Sequence, residues 1–357
     1  MDELNDITEQ ILYNCDITDA KYAGIYSICN LALRLRDLFK WENKLDPWIE
    51  KNPAEVLEWI GNKEKRWEEL ADKDYININI QGKEYDPFDT KNINAILEPY
   101  DLLYGAGYAL SLKPTFFLAD LEQKKAAHGC NVYFLGRELA RDLFTCPAQS
   151  VSNHILIRKV SAKAIFWDQI FYITKSGKNA LRFALEEYGL NLNDHEILHQ
   201  HLDRITTNEI ETYLYHELGE IKDTVFDHNV WTEIIASFPH SPVELLVRTV
   251  KDLLANTSQH GILNYMITEQ RSASLGFYVA FMDSLTKKLF PEILKAFETF
   301  TQDQNWECVK KAMAAGYATA RRYTESICSF FEEGKQKDNK KWAETALTKH
   351  LIEPLCA

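Results

Sequence analysis

Apolar residues recur every three to four positions along most of this chain, and that spacing decides which folds are open to it. The clearest case follows Ser241-Pro242-Val243-Glu244, a capping box with proline at the first helical position. Apolar side chains then share one helix face: Val243, Leu246, Val250, Leu253 and Leu254. Arg248 and Asp252 lie four residues apart on the other face and can pair. The spacing predicts a mainly α fold with a multi-helix, bundle-like architecture.

The N-terminal part of the chain shows the same helical spacing. One long helix is predicted over residues 20–42, after a capping region at 16–19. Pro53 opens a second helix, from Ala54 to about residue 70, because the missing N–H of proline costs little in a first turn.

Between residues 76 and 85 the apolar period changes from that of a helix to that of a strand. Three isoleucines alternate with asparagines, and Gln81-Gly82 can form a turn, which predicts a small β-hairpin with one apolar face. A weaker strand is predicted over residues 131–135, followed by Gly136 and a helix through Phe144. Few other strands are expected.

The best candidate for a domain boundary is the small, polar, proline-containing segment 147–153. We therefore expect an N-terminal helical domain over residues 1–150, which carries the β-hairpin near 76–85. A C-terminal all-helical domain is expected over residues 151–357.

Charge and cysteine content narrow the classes of function. The net charge of −13 gives a surface that repels phosphate backbones, so no nucleic-acid partner is expected. The acidic N-terminus lacks the apolar core of a signal peptide, and no stretch approaches the roughly 20 apolar residues of a spanning helix, so no membrane association is expected. The seven cysteines are scattered without a CxxC pair, which favours reduced thiols in the cytoplasm.

The segment His195-Glu196-Ile197-Leu198-His199 has the spacing of a zinc-peptidase motif. Residues four apart share a helix face, so both imidazoles could bind one zinc ion while Glu196 acts as the catalytic base. A third ligand would come from the next predicted helix, which offers His216, Glu217 and Glu220. The alternative is a polar helix face, because both histidines lie at the flank of the predicted apolar stripe.

A second line of candidate ligands comprises Glu209, His216 and Glu220, which lie within about 40° of one another on a helix. Thr206 and Glu209 form a capping box that is predicted to start this helix. In isolation the line is a solvated face, and it becomes a site only if another helix covers it. The helix of the 195–199 motif could cover it, which would create a dinuclear carboxylate–histidine site, for zinc or iron, inside a helical bundle.

The third candidate is a polar pocket between the predicted halves. Its lining would be the charged end of the 20–42 helix: Arg34, Arg36, Asp37, Lys40 and Glu42. The alternative is an ordinary charged helix end with pairs three and four residues apart. The sequence has no Walker A loop, GxSxG elbow or dinucleotide fingerprint, so no cradle for a phosphate cofactor is predicted.

Several segments together resemble one family. They include Tyr104-Gly105-Ala106-Gly107-Tyr108, Tyr215-His216-Glu217-Leu218-Gly219-Glu220, and residues 19–24, 33–42, 114–119, 238–246 and 251–255. The family is an uncharacterised one from anaerobic, sulfate- or metal-reducing bacteria, with no assigned activity, cofactor or catalytic residue. The resemblance implies a non-secreted bacterial protein with separable N- and C-terminal halves. It also weakens the peptidase interpretation, since these segments contain His216-Glu217 and not the 195–199 motif.

Two classes of function follow from the sequence. The first is a helical cytoplasmic protein that acts by protein–protein or small-ligand binding. The alternative is a metal-dependent enzyme, either a zinc hydrolase that uses the 195–199 motif or a protein with a carboxylate–histidine metal site in its helical bundle.

Overall fold

The computed structural model describes residues 2–191 and 195–356, with the backbone alone for Asp2, Leu110, His195 and Glu196. The chain forms two compact units, Met1–Asp168 and Gln169–Ala357, called here the N-terminal and the C-terminal unit. Helices dominate the described residues, so the predicted mainly α fold is confirmed. None of these helices combines the length and the apolar character needed to cross a membrane.

The N-terminal unit begins with helices α1 (Asp2–Tyr22), α2 (Ile28–Glu42), α3 (Pro53–Leu70) and α4 (Thr90–Leu97). The prediction of one helix over residues 20–42 is wrong, because α1 ends at Tyr22 and a new helix starts after Ser27. The Ser27 side chain accepts a hydrogen bond from the Asn30 amide at 3.3 Å, which caps α2. The predicted start of α3 at Pro53 is confirmed.

The predicted β-hairpin is present. Strands β1 (Ile78–Ile80) and β2 (Lys83–Tyr85) pair antiparallel, and the turn residues Gln81 and Gly82 both have positive φ angles. A two-residue turn of this kind matches the twist of the strands it joins. Ile78 and Ile80 are buried in a cluster with residues of α1, so the hairpin has the expected apolar face.

A five-stranded sheet was not expected beside this hairpin. Its strands are β3 (Leu102–Tyr108), β4 (Pro114–Ala127), β5 (Cys130–Arg141), β6 (Ala148–Val151) and β7 (His154–Arg158), in the order β3-β4-β5-β7-β6. Strands β5 and β7 are parallel, and the other neighbours are antiparallel. Residues 131–135 lie in β5 as predicted, but the predicted helix after Gly136 is wrong because β5 continues to Arg141. Segment 147–153 supplies β6 and the turn to β7.

Both faces of this sheet are buried at β3, the first half of β4 and most of β5, which explains why these segments lack the alternation of a half-exposed strand. On one face, Tyr104, Phe116 and Leu118 pack in a cluster with residues of α1, α4 and β1. On the other face, Leu103, Phe117, Leu135 and their neighbours form a second cluster. Adjacent residues of one strand, such as Phe116 and Phe117, are therefore both apolar.

A buried ionic network joins β5 to β7. The Arg158 Nε donates to Glu138 Oε1 at 2.9 Å, and Arg141 Nη1 lies 3.6 Å from Glu138 Oε2. Ser161 donates to the same carboxylate at 2.5 Å, and the Arg158 guanidinium lies over the ring of Phe117. All three charged side chains are almost completely buried, so they stabilise the unit only as long as they remain paired.

The charged end of α2 is engaged within the N-terminal unit. Its side chains have partners distant in sequence: Arg34 with the Thr145 carbonyl at 2.9 Å, Arg36 with Asp168 at 2.7 Å, Lys40 with Glu50 at 2.7 Å, and Glu42 with Lys63 at 2.6 Å. These contacts attach α2 to the rest of the unit, and Arg36 also pairs locally with Asp37 at 2.9 Å.

Beyond β7 the chain is helical. The predicted all-helical domain over residues 151–357 is wrong at its start, because β7 lies within that range and pairs with β5 and β6. The helices are α5 (Lys159–Phe171), α6 (Lys178–Glu187), α7 (His195–Lys222), α8 (His228–Ser237), α9 (Pro242–Thr257), α10 (Ile262–Thr268), α11 (Ser272–Phe281), α12 (Ser284–Leu289), α13 (Pro291–Asp303), α14 (Trp306–Gln336), α15 (Lys340–Leu347) and α16 (Glu353–Cys356). The capping box at Ser241 starts α9 as predicted, with the Ser241 hydroxyl accepting from the Glu244 amide.

Candidate metal centre

The zinc-peptidase motif lies at the start of α7. The side chains of His195 and Glu196, on which this prediction rests, lie outside the described residues. Among the others, Leu198 is buried, Ile197 is exposed and His199 is partly buried. The segment is helical as the motif requires, and a zinc site there stays a prediction.

The two sets of predicted ligands cannot share one ion, because α7 is a single continuous helix over His195–Lys222. The predicted helix start at Thr206 is wrong, since Thr206 is buried in the middle of α7. His199 precedes His216 by 17 residues (216 − 199), which corresponds to about 25 Å along the helix axis. The start of α7 therefore cannot cover the face that carries His216 and Glu220.

Helix α9 covers that face instead. The His216 Nδ1 lies 2.8 Å from Asn256 Oδ1, and the Lys251 ammonium lies 3.5 Å from Glu220 Oε2. Asp252 lies on the same side of α9, one turn before Asn256. His216, Glu220 and Asp252 each offer a ligand atom, and these atoms all lie within 4.8 Å of one another.

A glycine allows this close approach of the two helices. A Cβ atom on Gly219 would lie only 2.3 Å from the carbonyl oxygen of Ala255. Because Gly219 lies between His216 and Glu220, the contact brings both side chains against α9. A larger residue at position 219 would push α7 and α9 apart at the point where the three ligand atoms meet.

The charges of the cluster shift its pKa values. Burial lowers the pKa of His216, but the carboxylates of Glu220 and Asp252 outweigh it and raise the pKa to about 9. Asp252 lies at the exposed rim, yet its close neighbours displace hydrating water and raise its pKa to about 6. Burial opposes ionisation of Glu220, while Lys251 and His216 hold its pKa below the ordinary value. Without a metal ion, His216 is therefore an imidazolium at neutral pH.

The hydrogen bond to Asn256 orients the imidazole for metal binding. If His216 Nδ1 donates its proton to Asn256 Oδ1, Nε2 is the ring nitrogen left to bind an ion, and it lies 4.0 Å from Glu220 Oε1. One imidazole nitrogen and two carboxylate oxygens suit zinc, manganese or ferrous iron. The donor set therefore fits a divalent transition metal.

Other predicted ligands do not join the cluster. Glu217 is buried and is not one of the three residues whose ligand atoms meet. Glu209, two turns earlier on α7, accepts a hydrogen bond from the Tyr188 hydroxyl at 2.6 Å and lies 3.5 Å from Arg271. Burial raises the pKa of Glu209.

Asp252 is the candidate ligand that the sequence did not indicate. Its spacing suggested a pair with Arg248, but the Arg248 Nε donates to Glu244 Oε1 at 2.9 Å. Asp252 is left to face α7. Gly219, within Tyr215-His216-Glu217-Leu218-Gly219-Glu220, could have indicated that a second helix packs closely here. A glycine inside a helix often marks a close approach of two backbones.

Comparison with known proteins identifies both parts of the chain. Residues 6–158 match the N-terminal domain of a family of unknown function, DUF6866, and residues 163–350 match its C-terminal domain. The predicted resemblance to an uncharacterised family is thereby confirmed, and its bacterial source stays a prediction. No curated protein and no solved structure matches the chain.

Proposed function

We propose a divalent-metal-binding function for this chain, which belongs to the DUF6866 family of unknown function. The ion would be bound in the C-terminal unit by His216 Nε2 and by carboxylate oxygens of Glu220 and Asp252. The observation that carries the proposal is the meeting of one imidazole and two carboxylates within 4.8 Å, on two helices held together at Gly219.

The surroundings of the cluster support this assignment. Asn256 accepts the second imidazole proton, as outer partners of metal-bound histidines commonly do. The Lys251 ammonium lies beside Glu220 and 4.1 Å from the centre of the Trp231 ring, so it can move onto that ring when an ion takes its place. Metal binding would release the proton of His216.

A bound divalent ion would supply Lewis-acid chemistry, as in metal-dependent hydrolases. The nearby Tyr278 hydroxyl is buried and lies beside Asn256 and Asp252. Burial and the Asp252 carboxylate raise its pKa, so the hydroxyl stays protonated at neutral pH. Tyr278 can therefore donate a hydrogen bond to a molecule bound beside the three ligands.

The cysteines support the accompanying proposal of a cytoplasmic location. All seven are free thiols, and Cys15 and Cys130 are buried. Unpaired cysteines in this number are typical of proteins from a reducing compartment.

Cobalt titration of the purified protein tests the metal site, because the absorption of bound Co²⁺ reports the ligands and the geometry. We expect saturable binding of one ion per chain. Asp252→Asn and Glu220→Gln should each weaken it by more than about 100-fold, beyond the effect of losing an outer-shell partner. Both variants keep the shape of the replaced side chain, and thermal unfolding without metal would confirm that they fold.

His199→Asn is the matched control on the same helix. It should leave cobalt binding unchanged, since His199 lies about 25 Å from His216 along α7. A loss of binding in this variant, with Asp252→Asn unaffected, would assign the metal to the 195–199 motif instead. No binding to the wild-type protein would refute both sites.

A further inference from the structure

We infer that a cleft in the N-terminal unit binds a small aromatic carboxylate, independently of the metal centre. The cleft has a volume of about 300 Å³, near the lower end of the range for small-molecule sites. It is lined by residues of α4, β3, β5, β6 and β7. Because β3 and β6 are the two edge strands of the five-stranded sheet, the sheet curls until residues near both edges reach one cleft.

The floor of the cleft is apolar. Leu103, Tyr133 and Leu156 come from three different strands and belong to one buried cluster of the sheet. Gly105 continues this wall, and a Cβ atom there would lie 2.2 Å from the ring of Phe117. The Phe117 ring therefore covers Gly105 on this side of the sheet and adds to the apolar cluster behind the cleft.

An aromatic group fits beside the rings of the wall. The rings of Tyr133 and His154 have centroids 5.7 Å apart and planes inclined by 33°. The Lys124 ammonium lies 4.8 Å from the Tyr133 centroid, which increases the polarity of this surface. An aromatic ligand would extend the contact between the two rings, as offset aromatic pairs do in protein cores.

The charge at the rim favours an acidic ligand. Glu98 is the acidic side chain of the lining, and Lys124 lies 2.8 Å from its carboxylate. Lys91 supplies the positive charge of the lining, while Asp89, its nearest acidic neighbour in the sequence, lies outside the lining and caps α4 by accepting from the Asn92 amide. The hydroxyls of Thr90 and Ser152 supply further donors. A carboxylate at the rim would thus meet a cation and two hydroxyls.

Fluorine NMR of 4-fluorobenzoate and of the neutral 4-fluorobenzamide tests the inference with the full chain. We expect saturable binding of 4-fluorobenzoate and weaker binding of 4-fluorobenzamide. Lys91→Gln should weaken the benzoate by about tenfold, as expected for the loss of one charged hydrogen bond, and leave the benzamide unchanged. Val151→Trp, which fills the cleft from β6, should abolish binding of both probes.

Lys83→Gln is the matched control, because Lys83 lies on the separate hairpin strand β2 and outside the cleft lining. It should bind both probes like the wild type, and thermal unfolding would show that all variants are folded. Absence of saturable benzoate binding would overturn the inference. Equal binding of the two probes, or binding that survives Val151→Trp, would do so as well.

Discussion

Stability of the metal-free protein should fall as pH rises from about 6.5 to 9, because of His216. In the unfolded chain a histidine has a pKa of about 6.5, whereas the carboxylates around His216 raise its folded-state pKa to about 9. The folded protein therefore binds the proton more tightly. The contribution of protonated His216 to stability is complete below pH 6.5 and disappears as pH rises through 9. The difference between the folded and unfolded pKa of His216 corresponds to about 3 kcal/mol of folding stability. Partial exposure of the side chain reduces this contribution to about 1–2 kcal/mol.

The assay compares wild type with His216→Gln, both with chelator present. Urea denaturation gives the free energy of unfolding at pH 6.5 and at pH 9. Between these pH values the wild type should lose about 1–2 kcal/mol more of it than the variant loses. The other raised pKa of the cluster does not interfere, because Asp252 titrates near pH 6, below this window. An identical pH dependence of the two proteins would refute the reasoning. So would an NMR titration of the His216 ring with a pKa near 6.5.

Three further predictions concern packing and the outer partners of the site. Gly219→Ala should destabilise the protein by about 1–2 kcal/mol, because the clash with Ala255 outweighs the gain in helix propensity, whereas Gly61→Ala, which meets nothing within 4 Å, should raise Tm slightly. Asn256→Ala should weaken zinc binding by about 10–100-fold in calorimetry without removing the site; an unchanged affinity would argue against the tautomer assigned to His216. Arg158→Met should cost about 3–5 kcal/mol in urea denaturation because it removes the 2.9 Å partner of the buried Glu138 carboxylate, and adding Glu138→Gln should not recover that loss, because it would leave the buried Arg141 without its carboxylate partner.

Sequence periodicity was sufficient for helices such as α3 and α9 and for the small hairpin, but it could not reveal the large sheet. The hairpin alternates apolar and polar residues because one of its faces is exposed. The central strands have two buried faces, so Phe116 and Phe117 are both apolar and the period of two is lost. A short apolar run of this kind is compatible with a buried helix or a buried strand.

Local sequence patterns gave wrong or incomplete predictions where tertiary contacts determine the structure. Thr206 and Glu209 have the spacing of a capping box, yet both are buried within α7, so the helix continues and separates His199 from His216. His216 and Glu220 were identified as candidate ligands from their spacing on one helix. Asp252 could not be, because its role depends on how closely α7 and α9 pack at Gly219. That distance is a property of the folded unit.

Zinc-soaked crystals measured at the zinc absorption edge give the most direct test of the metal centre. The account predicts one strong anomalous peak in the C-terminal unit, at about 2.0–2.2 Å from His216 Nε2 and from carboxylate oxygens of Glu220 and Asp252. A peak beside residues 195–199, or no peak near His216 in crystals with an accessible C-terminal unit, would contradict it.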